Sequence, residues 1–384
     1  MTTNLSRILD PDAVAVVGAS ADPEKRGYKA LRDLQDDGYE GAVYAVNPGY
    51  DEPIRGLEVY DSVGAIPDAV DLAFVATPAG VVPSVLEDCG EAGVAGAVVI
   101  AAGFSEVGEA DLERQLVETA RAHGVRLIGP NIQGIANVPA NLNLLGGYDV
   151  PPGDLAILTQ SGNVGLSIAS SAGERATAGI SYNVGVGNES DLRFHEYLPY
   201  LDADDHTAAV TLYVDGMADG RAFLQAAREA TRETPVVCLK GGLTDAGRAS
   251  AESHTASLAG QRAVLDAAYR QAGVVRVDRS DDLVPVADAL AHLPPADGER
   301  VAVLSDGGGT ATLATDALAD AGLSMADLAE STQAALREEV PASPNVTNPV
   351  DVMGDSNDLS FFSASVDHLL ADEAVDGVLF VGMF

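Results

Sequence analysis

The sequence predicts an α/β protein built on parallel, doubly wound sheets. Short apolar segments recur along the chain, glycine or proline follows many of them, and amphipathic stretches separate them. Segments that are apolar at consecutive positions are typical of strands in parallel sheets, because helices cover both faces of such sheets. Ligands bind beyond the carboxyl ends of these strands. The turns that follow the apolar segments are therefore the places where a functional site is expected.

The first domain is predicted over residues 1–147. A helix is expected over 27–36, after the turn that closes the first strand. The predicted strands of this domain cover residues 13–17, 42–46, 72–77, 97–101 and 126–128. This alternation of apolar strands with helical stretches is what a parallel sheet requires.

Two segments rich in proline and glycine are interpreted as linkers. The first, 148–153, leads to a second domain over 153–293, and the other, 293–298, leads to a third domain over 298–384. The strands predicted in these domains cover residues 155–159, 180–184, 208–214, 236–240, 274–277 and 301–304, with a strand-like end at 377–384. Because the third domain ends on a buried type of strand, we expect it to be incomplete and the chain to be part of a longer polypeptide.

The composition excludes several classes of protein. The 384 residues include 58 acidic and 22 basic side chains, a formal charge of −36, which would repel a nucleic acid. No apolar run approaches the ~20 residues that span a bilayer. The first residues show no basic region followed by an apolar stretch, so we do not expect export. The 2 cysteines are too few for a disulfide framework or a thiolate metal site. We expect a cytoplasmic protein with no nucleic-acid or membrane partner and no metal in this chain.

The distribution of charge predicts a halophilic protein. The lysines are only Lys25, Lys29 and Lys240, and the acidic residues are spread along the chain rather than gathered in a tail. Screening at 1 M salt shortens the Debye length to ~3 Å, so self-repulsion of such a surface costs little there. An ordinary acidic protein is the alternative.

The first turn predicts the kind of ligand that the first domain binds. Gly18-Ala19-Ser20 follows the first strand, and the next glycine is Gly27, so the turn is not the G-x-G-x-x-G dinucleotide motif. It carries Lys25 and Arg26, and Asn47 stands where a nicotinamide site would have an acid for the ribose. A long basic turn without that acid suits a ligand with an extra phosphate, such as coenzyme A. A generic glycine turn is the alternative.

Four short motifs follow one another in the first domain. They are Gly18-Ala19-Ser20, Val46-Asn47-Pro48, Ala101-Ala102-Gly103-Phe104-Ser105-Glu106 and Gly129-Pro130-Asn131. In this order they resemble the CoA-binding domain of the NDP-forming acyl-CoA synthetases, the family of ADP-forming acetyl-CoA synthetase and of the succinyl-CoA synthetase α-subunit. The resemblance extends over essentially the whole chain. It implies a Rossmann-like CoA-binding domain followed by flavodoxin-like doubly wound domains.

The resemblance also implies a set of CoA-binding residues. Those that match the family motifs are Gly18, Ala19, Ser20, Asn47, Thr77, Ala101, Ala102 and Asn131, and the basic turn adds Lys25. The chain departs from succinyl-CoA synthetases after Ala19, where residues 20–24 replace a tighter glycine turn. The phosphate contacts of CoA are the part of the site that this departure affects.

A second candidate site follows the first strand of the second domain. There, Thr159-Gln160-Ser161-Gly162-Asn163-Val164-Gly165 leads into a helix. Small residues at such a turn expose backbone N–H groups and the positive end of the helix, which attract an anion, although many such turns bind nothing. In the family that the chain resembles, this turn holds inorganic phosphate or a phosphohistidine. The resemblance therefore assigns phosphate binding to Ser161, Gly162 and Asn163.

One histidine stands out by its surroundings. His254 lies in Ser253-His254-Thr255-Ala256-Ser257-Leu258-Ala259-Gly260, which resembles the phosphohistidine loop of the family. The resemblance implies that His254 is the nucleophile that receives the phosphoryl group. A nucleophilic imidazole needs an acceptor that orients its other nitrogen. Asp215 matches the family's supporting carboxylate, which is usually Glu, and an exposed loop acid is the alternative.

These resemblances imply an acid–thiol ligase: the α-subunit, or an α-like portion, of an ADP-forming acyl-CoA synthetase of the acetate type. The family reaction converts acyl-CoA, ADP and phosphate into the acid, CoA and ATP through an acyl phosphate and a phosphohistidine. The sequence has no Walker A lysine and no paired carboxylates suited to Mg²⁺. We therefore expect ADP or ATP and Mg²⁺ to bind a β-subunit or a fused ATP-grasp domain, and we expect an oligomer.

Three alternatives stay open at this point. The chain could be a non-catalytic CoA-binding or regulatory protein, or the α-subunit of a succinate-type CoA ligase. It could also be a nicotinamide oxidoreductase, although Asn47 argues against that function.

Overall fold

The computed structural model describes residues 5–175, 178–244, 247, 262–340, 345–352 and 360–382. The chain divides into two compact units, Met1–Leu293 and Pro294–Phe384. The first unit contains two largely parallel sheets and the second unit contains one. His254 and the rest of the predicted phosphohistidine loop lie outside the described residues.

The first sheet is entirely parallel. Its strands are β1 (Ala13–Val17), β2 (Ala42–Val46), β3 (Val59–Tyr60), β4 (Leu72–Val75), β5 (Gly96–Val99) and β6 (Arg126–Ile128). They lie in the order β3-β2-β1-β4-β5-β6, which is that of a Rossmann-like sheet. β1, β4 and β5 are buried at every position, as their unbroken apolar sequences require. The order of winding reverses between β1 and β4.

The second sheet has a flavodoxin-like core. Its strands are β7 (Ile135–Asn137), β8 (Leu142–Asn143), β9 (Pro152–Thr159), β10 (Ile180–Gly185), β11 (Ala209–Val214), β12 (Val236–Lys240) and β13 (Val275–Val277). The strand order is β13-β12-β11-β9-β10-β7-β8. Winding reverses between β9 and β11, which are neighbours in the sheet and parallel. The predicted fold class is confirmed for this sheet as well as for the first.

An antiparallel hairpin at the edge of the second sheet was not predicted. β7 pairs antiparallel with β10 and with β8. Both strands are short and carry asparagines, so they lack the apolar runs that predicted the other strands. The hairpin falls inside the predicted first domain and yet completes the sheet of the second. The domain limits given above stay a prediction.

Helices cover the sheets. In the first unit they are α1 (Ser6–Leu9), α2 (Arg26–Asp36), α3 (Val82–Glu91), α4 (Ala110–Ala122), α5 (Gly162–Gly173), α6 (Phe194–Asp202), α7 (Gly220–Ala230), α8 (Arg262–Gln271) and α9 (Ser280–His292). α2 shows why they form, because Gly27, Ala30, Leu31 and Leu34 recur at the spacing that puts them on one buried face. Single turns of 3₁₀ helix occur at Val63–Ala65, Ala79–Val81 and Ser105–Val107.

The second unit is a smaller parallel sheet with its own core. Its strands are β14 (Arg300–Ser305), β15 (Ser324–Met325), β16 (Val350–Asp351) and β17 (Gly377–Val381). β14 is central and parallel to the other three. Its helices are α10 (Gly308–Asp320), α11 (Glu330–Glu339) and α12 (Ser360–Leu370). The strand predicted at 301–304 is present within β14.

One hydrophobic cluster joins the two sheets of the first unit. Phe74 and Ile128 of the first sheet belong to the same buried cluster as Leu158 and Val184 of the second. Cys89 and Cys238 are free and buried. Among the helices that the structure describes, none is long and apolar enough to cross a bilayer.

Candidate functional site

A cavity of about 660 Å³ lies at the carboxyl ends of β1, β2 and β4. Strand order reverses there, so the loops diverge and leave room for a ligand. Five of the predicted CoA-binding residues line this cavity, namely Gly18, Ser20, Lys25, Asn47 and Thr77. The structure therefore brings together residues that are up to 59 positions apart in the sequence (18 to 77).

Asn47 shapes the cavity through hydrogen bonds to the backbone. Its Nδ2 donates to the carbonyl of Ala19 at 2.6 Å, and its Oδ1 accepts from the N–H of Gly49 at 2.9 Å. Ala19 is fully buried behind the cavity wall. Asn47 thus ties the turn after β1 to the turn after β2.

The two basic residues of the first turn have different environments. Lys25 is exposed on the cavity wall. Arg26 is half-buried, its guanidinium donates to the carbonyls of Gln133 and Leu144, and burial lowers its pKa. Of the two basic residues, Lys25 lines the cavity, while Arg26 anchors the turn to the segments on either side of the hairpin.

Two hydroxyl groups on the cavity wall, those of Thr77 and Tyr50, differ in their hydrogen bonding. The hydroxyl of Thr77 is buried and has no hydrogen-bond partner among the described residues, so a ligand could supply one. Tyr50, which sequence reasoning missed, has its hydroxyl 3.1 Å from Ser20 Oγ and accepts from the N–H of Ala21 at 3.3 Å. The hydrogen bonds from Ser20 and Ala21 lower the pKa of Tyr50. Tyr50 directly follows Asn47-Pro48-Gly49, and this position was the sequence signal that could have marked it as a site residue.

The other predicted CoA-binding residues lie further along the same sheet edge. Ala101 and Ala102 follow β5, and Asn131 follows β6. The N–H of Asn131 donates to the carbonyl of Ala101 at 2.9 Å, so these two turns lie side by side. The cavity wall described above does not include them. The predicted groove therefore has two parts, one at the cavity and one at the ends of β5 and β6.

The predicted phosphate turn lies at the reversal point of the second sheet. Ser161 is the N-cap of α5, and its side chain makes no capping hydrogen bond. Thr159 instead stabilises the turn, because its Oγ1 donates to the carbonyl of Ser161 at 2.7 Å and accepts from the N–H of Ser161 at 3.1 Å. The first N–H groups of a helix have no intrahelical acceptor, so this turn presents donors and a positive helix end to an anion.

Asp215 lies beside that turn, at the end of β11. Gln160 Oε1 accepts from the N–H groups of Asp215 at 2.6 Å and of Gly216 at 3.0 Å. The hydroxyl of Tyr213 donates to Asp215 Oδ1 at 2.7 Å. The carboxylate is half-buried and hydrogen-bonded rather than free in an exposed loop. Gln160 belongs to the predicted phosphate turn, but only the structure shows that it joins this turn to the one after β11.

Lys240 and Gly241 complete this cluster. The ammonium of Lys240 donates to the carbonyls of Asp215, at 2.7 Å, and of Gly241. Burial lowers the pKa of Lys240, although the Asp215 carboxylate opposes that shift, and burial together with Asp215 raises the pKa of Tyr213. A side chain at Gly241 would overlap Asp215 Oδ1 and would lie 2.9 Å from the hydroxyl of Tyr213. The cluster therefore needs glycine at this position.

The segment after β6 connects the two candidate sites. A Cβ on Gly162 of the phosphate turn would lie 2.8 Å from Cβ of Gln133, so the two backbones approach closely. Gln133 is two residues from Asn131, which bonds to the turn after β5. The segment that carries Asn131 and Gln133 thus lies next to the predicted phosphate turn. Within the described part of the chain, no group of three or more His, Cys, Asp or Glu side chains is arranged to hold a metal ion.

Family models match both domains of the first unit. Residues 12–137 match a CoA binding domain, and residues 152–290 match a succinyl-CoA ligase like flavodoxin domain. A CoA-binding domain followed by a succinyl-CoA ligase like flavodoxin domain is the arrangement of the NDP-forming acyl-CoA synthetases.

Relatives extend the match to almost the whole chain. The chain is 40% identical to acetate–CoA ligase (ADP-forming) I subunit alpha of Pyrococcus furiosus, over 96% of this chain and 81% of that one. It is also 40% identical to acetate–CoA ligase (ADP-forming) I of Archaeoglobus fulgidus, covering 98% of this chain and 54% of that protein. The chain belongs to the family of ADP-forming acetate–CoA ligases, which are acid–thiol ligases, and it corresponds to their α-subunit.

A solved structure has the same fold. The dinucleotide-forming acetyl-coenzyme A synthetase 1 of Ca. Korarchaeum cryptofilum, in complex with phosphate and ADP, superposes with a TM-score of 0.91 at 36% identity. The match covers 99% of this chain and 82% of that chain. The expected family and the expected fold class are both confirmed.

Proposed function

We propose that this chain is the α-subunit, or an α-like portion, of an acetate-type acyl-CoA synthetase that forms ATP from ADP. It would convert acyl-CoA, ADP and phosphate into the free acid, CoA and ATP, and the reverse. The observation that supports this proposal is the close approach of Gln133 to Gly162, because the proposed CoA groove would then end beside the proposed phosphate turn. A thioester and a phosphate ion can meet there.

In the proposed complex, CoA binds along the carboxyl edge of the first sheet. Its nucleotide end occupies the cavity, where Lys25 supplies positive charge and Thr77 a free hydroxyl. Its thioester end passes the turns that carry Ala101, Ala102 and Asn131 and reaches the turn at Ser161. The match of residues 12–137 to a CoA binding domain supports this placement.

Phosphate is proposed to bind at Ser161, Gly162 and Asn163. The N-terminus of α5 and the hydroxyl of Ser161, which makes no capping hydrogen bond, favour an anion at this turn. An oxygen of phosphate attacks the carbonyl carbon of the thioester, the carbon–sulfur bond breaks, and CoA leaves as a thiolate that takes up a proton. The product is an acyl phosphate, and donors fixed before the reaction stabilise its charge without reorganising.

His254 is proposed to take the phosphoryl group next. A neutral imidazole nitrogen attacks phosphorus, the bond to the acyl oxygen breaks, and the acid leaves as a carboxylate. The second nitrogen of the imidazole then needs an acceptor, and Asp215 is the proposed one. In the described part of the chain, Tyr213, Gln160 and Lys240 hold Asp215 and its turn beside the phosphate turn.

The nucleotide is proposed to bind outside this chain. ADP or ATP, with Mg²⁺, would occupy a β-subunit or a fused ATP-grasp domain, to which phosphohistidine passes its phosphoryl group. Two relatives from Pyrococcus furiosus are themselves named α subunits, and the chain covers only about half of two Archaeoglobus fulgidus relatives whose names give no subunit. An oligomeric enzyme and a cytoplasmic location accord with this proposal.

The test is transfer of ³²P from inorganic phosphate to protein in the presence of acetyl-CoA. We expect labelling of the wild type and none of His254→Asn. His206→Asn replaces an exposed histidine elsewhere in the second domain and should label normally. Undiminished labelling of His254→Asn would refute the assignment of the nucleophile.

Three further measurements separate the alternatives. Tight binding of CoA by a wild type that never forms phosphohistidine would favour a non-catalytic CoA-binding protein. A panel of acids assayed with the complete enzyme would distinguish acetate from succinate as the preferred substrate, and a fluorescence titration with NADH would detect a nicotinamide site.

A further inference from the structure

Asn188 connects the two domains of the first unit. It is half-buried in the loop between β10 and α6. Its Nδ2 lies 2.7 Å from Glu106 Oε2, 2.9 Å from Glu113 Oε2 and 3.3 Å from Ser105 Oγ. Its Oδ1 accepts from Nδ2 of Asn131 at 3.2 Å. One amide side chain therefore contacts the turns after both β5 and β6.

The orientation of this amide is determined by its neighbours. The carboxylates of Glu106 and Glu113 can only accept hydrogen bonds when ionised, so the NH₂ group of Asn188 must face them. Its two hydrogens are shared among three acceptors. Asn188 is thus the shared donor between two acidic side chains that would otherwise face each other.

Those two carboxylates hold the turn after β5. Glu106 Oε1 accepts from the N–H groups of Gly103 and, at 3.1 Å, Phe104. Glu113 Oε2 accepts from the N–H of Ser105 at 3.0 Å. Burial raises the pKa of Glu106, but the bonds from Asn188 and the backbone outweigh it and hold that pKa below its ordinary value. The shape of the turn therefore depends on where Asn188 holds the two acids.

The residues that follow Asn188 in this loop make contacts with both domains. Glu189 accepts from the N–H groups of Ala218 and Phe194, and Asp191 pairs with Arg126. Ser190 donates to Glu113 Oε1 at 2.5 Å. Glu189 thus anchors the loop in the second domain, and Asn188, Ser190 and Asp191 all reach the first.

We propose that Asn188 is a positioning residue that aligns the thioester end of bound acyl-CoA with the phosphate turn. It does so by fixing the turn at Ala101 and Ala102, and the turn at Asn131, against the second domain. The proposal rests on the proposed function. The nucleotide cavity lies at β1, β2 and β4, away from Asn188, so affinity for CoA and transfer of the acyl group should respond differently to its loss.

The experiment uses the complete enzyme and the variants Asn188→Ala and Asn188→Asp. For both, we expect the Kd of CoA, measured by calorimetry, to change less than ~3-fold. The rate of ³²P labelling should fall ~10- to 100-fold, because small misplacements of reacting groups cost that much. Gln225→Glu on the exposed face of α7 adds the same charge elsewhere and should leave both quantities unchanged.

Two further readouts distinguish positioning from a general loss of structure. Asn188→Asp places a third carboxylate beside Glu106 and Glu113, so its labelling rate relative to wild type should recover from pH 8 to pH 6 as the group takes up a proton. Asn188→Ala should show no such recovery. The double variant Glu106→Gln/Asn188→Asp reverses the hydrogen bond with no change in net charge and should label faster than Asn188→Asp alone.

Three results would overturn the proposal. The first is normal ³²P labelling by Asn188→Ala, and the second is an equal loss of CoA affinity and labelling rate in both single variants. The third is a double variant that labels no faster than Asn188→Asp. A wild type that binds CoA but never labels would instead refute the proposed function. The two failures are therefore distinguishable in one set of measurements.

Discussion

At the scale of single residues, the second candidate site depends on contacts that the order of residues does not reveal. Asp215, Gln160 and Gly241 come from three different turns and meet because β9, β11 and β12 are adjacent in the sheet. Gln160 fixes the backbone of Asp215, and Tyr213 fixes its carboxylate. The sequence identified Asp215 as a candidate, whereas only the structure shows that Gln160 and Tyr213 are close enough to orient it.

Gly241→Ala tests this arrangement. The added methyl group would overlap Asp215 Oδ1, and a carboxylate on a flexible side chain can move away without unfolding the strand. We expect ³²P labelling to fall at least ~10-fold, since a misplaced acceptor no longer orients the nucleophile. The thermal midpoint should change by only a few degrees. Gly220→Ala, where the added Cβ meets nothing within 4 Å, is the matched control and should label normally. Full activity of Gly241→Ala would contradict a role for Asp215.

At the scale of elements, strands with unbroken apolar sequences were predicted well and polar ones were missed. β1, β2, β6 and β12 begin and end at the predicted residues. The β7–β8 hairpin was missed because its pairing partner, β10, lies more than forty residues away and its own sequence has no strand signal (137 to 182). Such strands form because an existing sheet edge offers hydrogen bonds, a condition that local sequence does not encode.

An ion pair joins the ends of two elements in the second unit. Arg300 at the start of β14 donates to both carboxylate oxygens of Asp376, just before β17, at 2.9 and 2.7 Å. These bonds, with one from the N–H of Arg300, lower the pKa of Asp376 to about 2. A carboxyl whose pKa is lowered on folding stabilises the fold above its unfolded pKa of about 3.9, and that contribution is lost as the pH falls through about 2.

Asp376→Asn should therefore lower the unfolding temperature at pH 7, and its difference from wild type should shrink steadily between pH 4 and pH 2. Calorimetric scans across this range provide the measurement. Asp320→Asn, on the exposed end of α10, removes the same charge and should show little change at any pH. If the unfolding temperature of Asp376→Asn lies below that of wild type by the same amount at every pH, the carboxylate charge does not contribute to stability.

At the scale of the whole molecule, the net charge of −36 determines how stability depends on salt. The acidic side chains repel one another over distances that depend on the Debye length, which is ~8 Å at physiological salt and ~3 Å at 1 M. Self-repulsion destabilises a compact state, so added salt should stabilise this chain more than it stabilises a protein near neutrality.

We expect the unfolding temperature to rise substantially as the KCl concentration is increased from about 0.2 to about 3 M, a range over which the Debye length falls to a few ångströms. Choline chloride should act similarly, because screening does not depend on the identity of the cation. A rise only in sulfate would indicate strengthened apolar burial instead. A midpoint that does not change with KCl would refute the halophilic prediction.

The sequence by itself determined the α/β class, the family and the identity of most candidate residues, because apolar runs and short glycine-rich motifs are local features. Tertiary structure decided how those residues are grouped. It separated Lys25, at the cavity, from Arg26, which anchors a distant segment, and it brought Asn188 between Glu106 and Glu113. Groupings of this kind depend on strand order and on pairing between distant segments, and those are set by how complete sheets pack rather than by any local pattern.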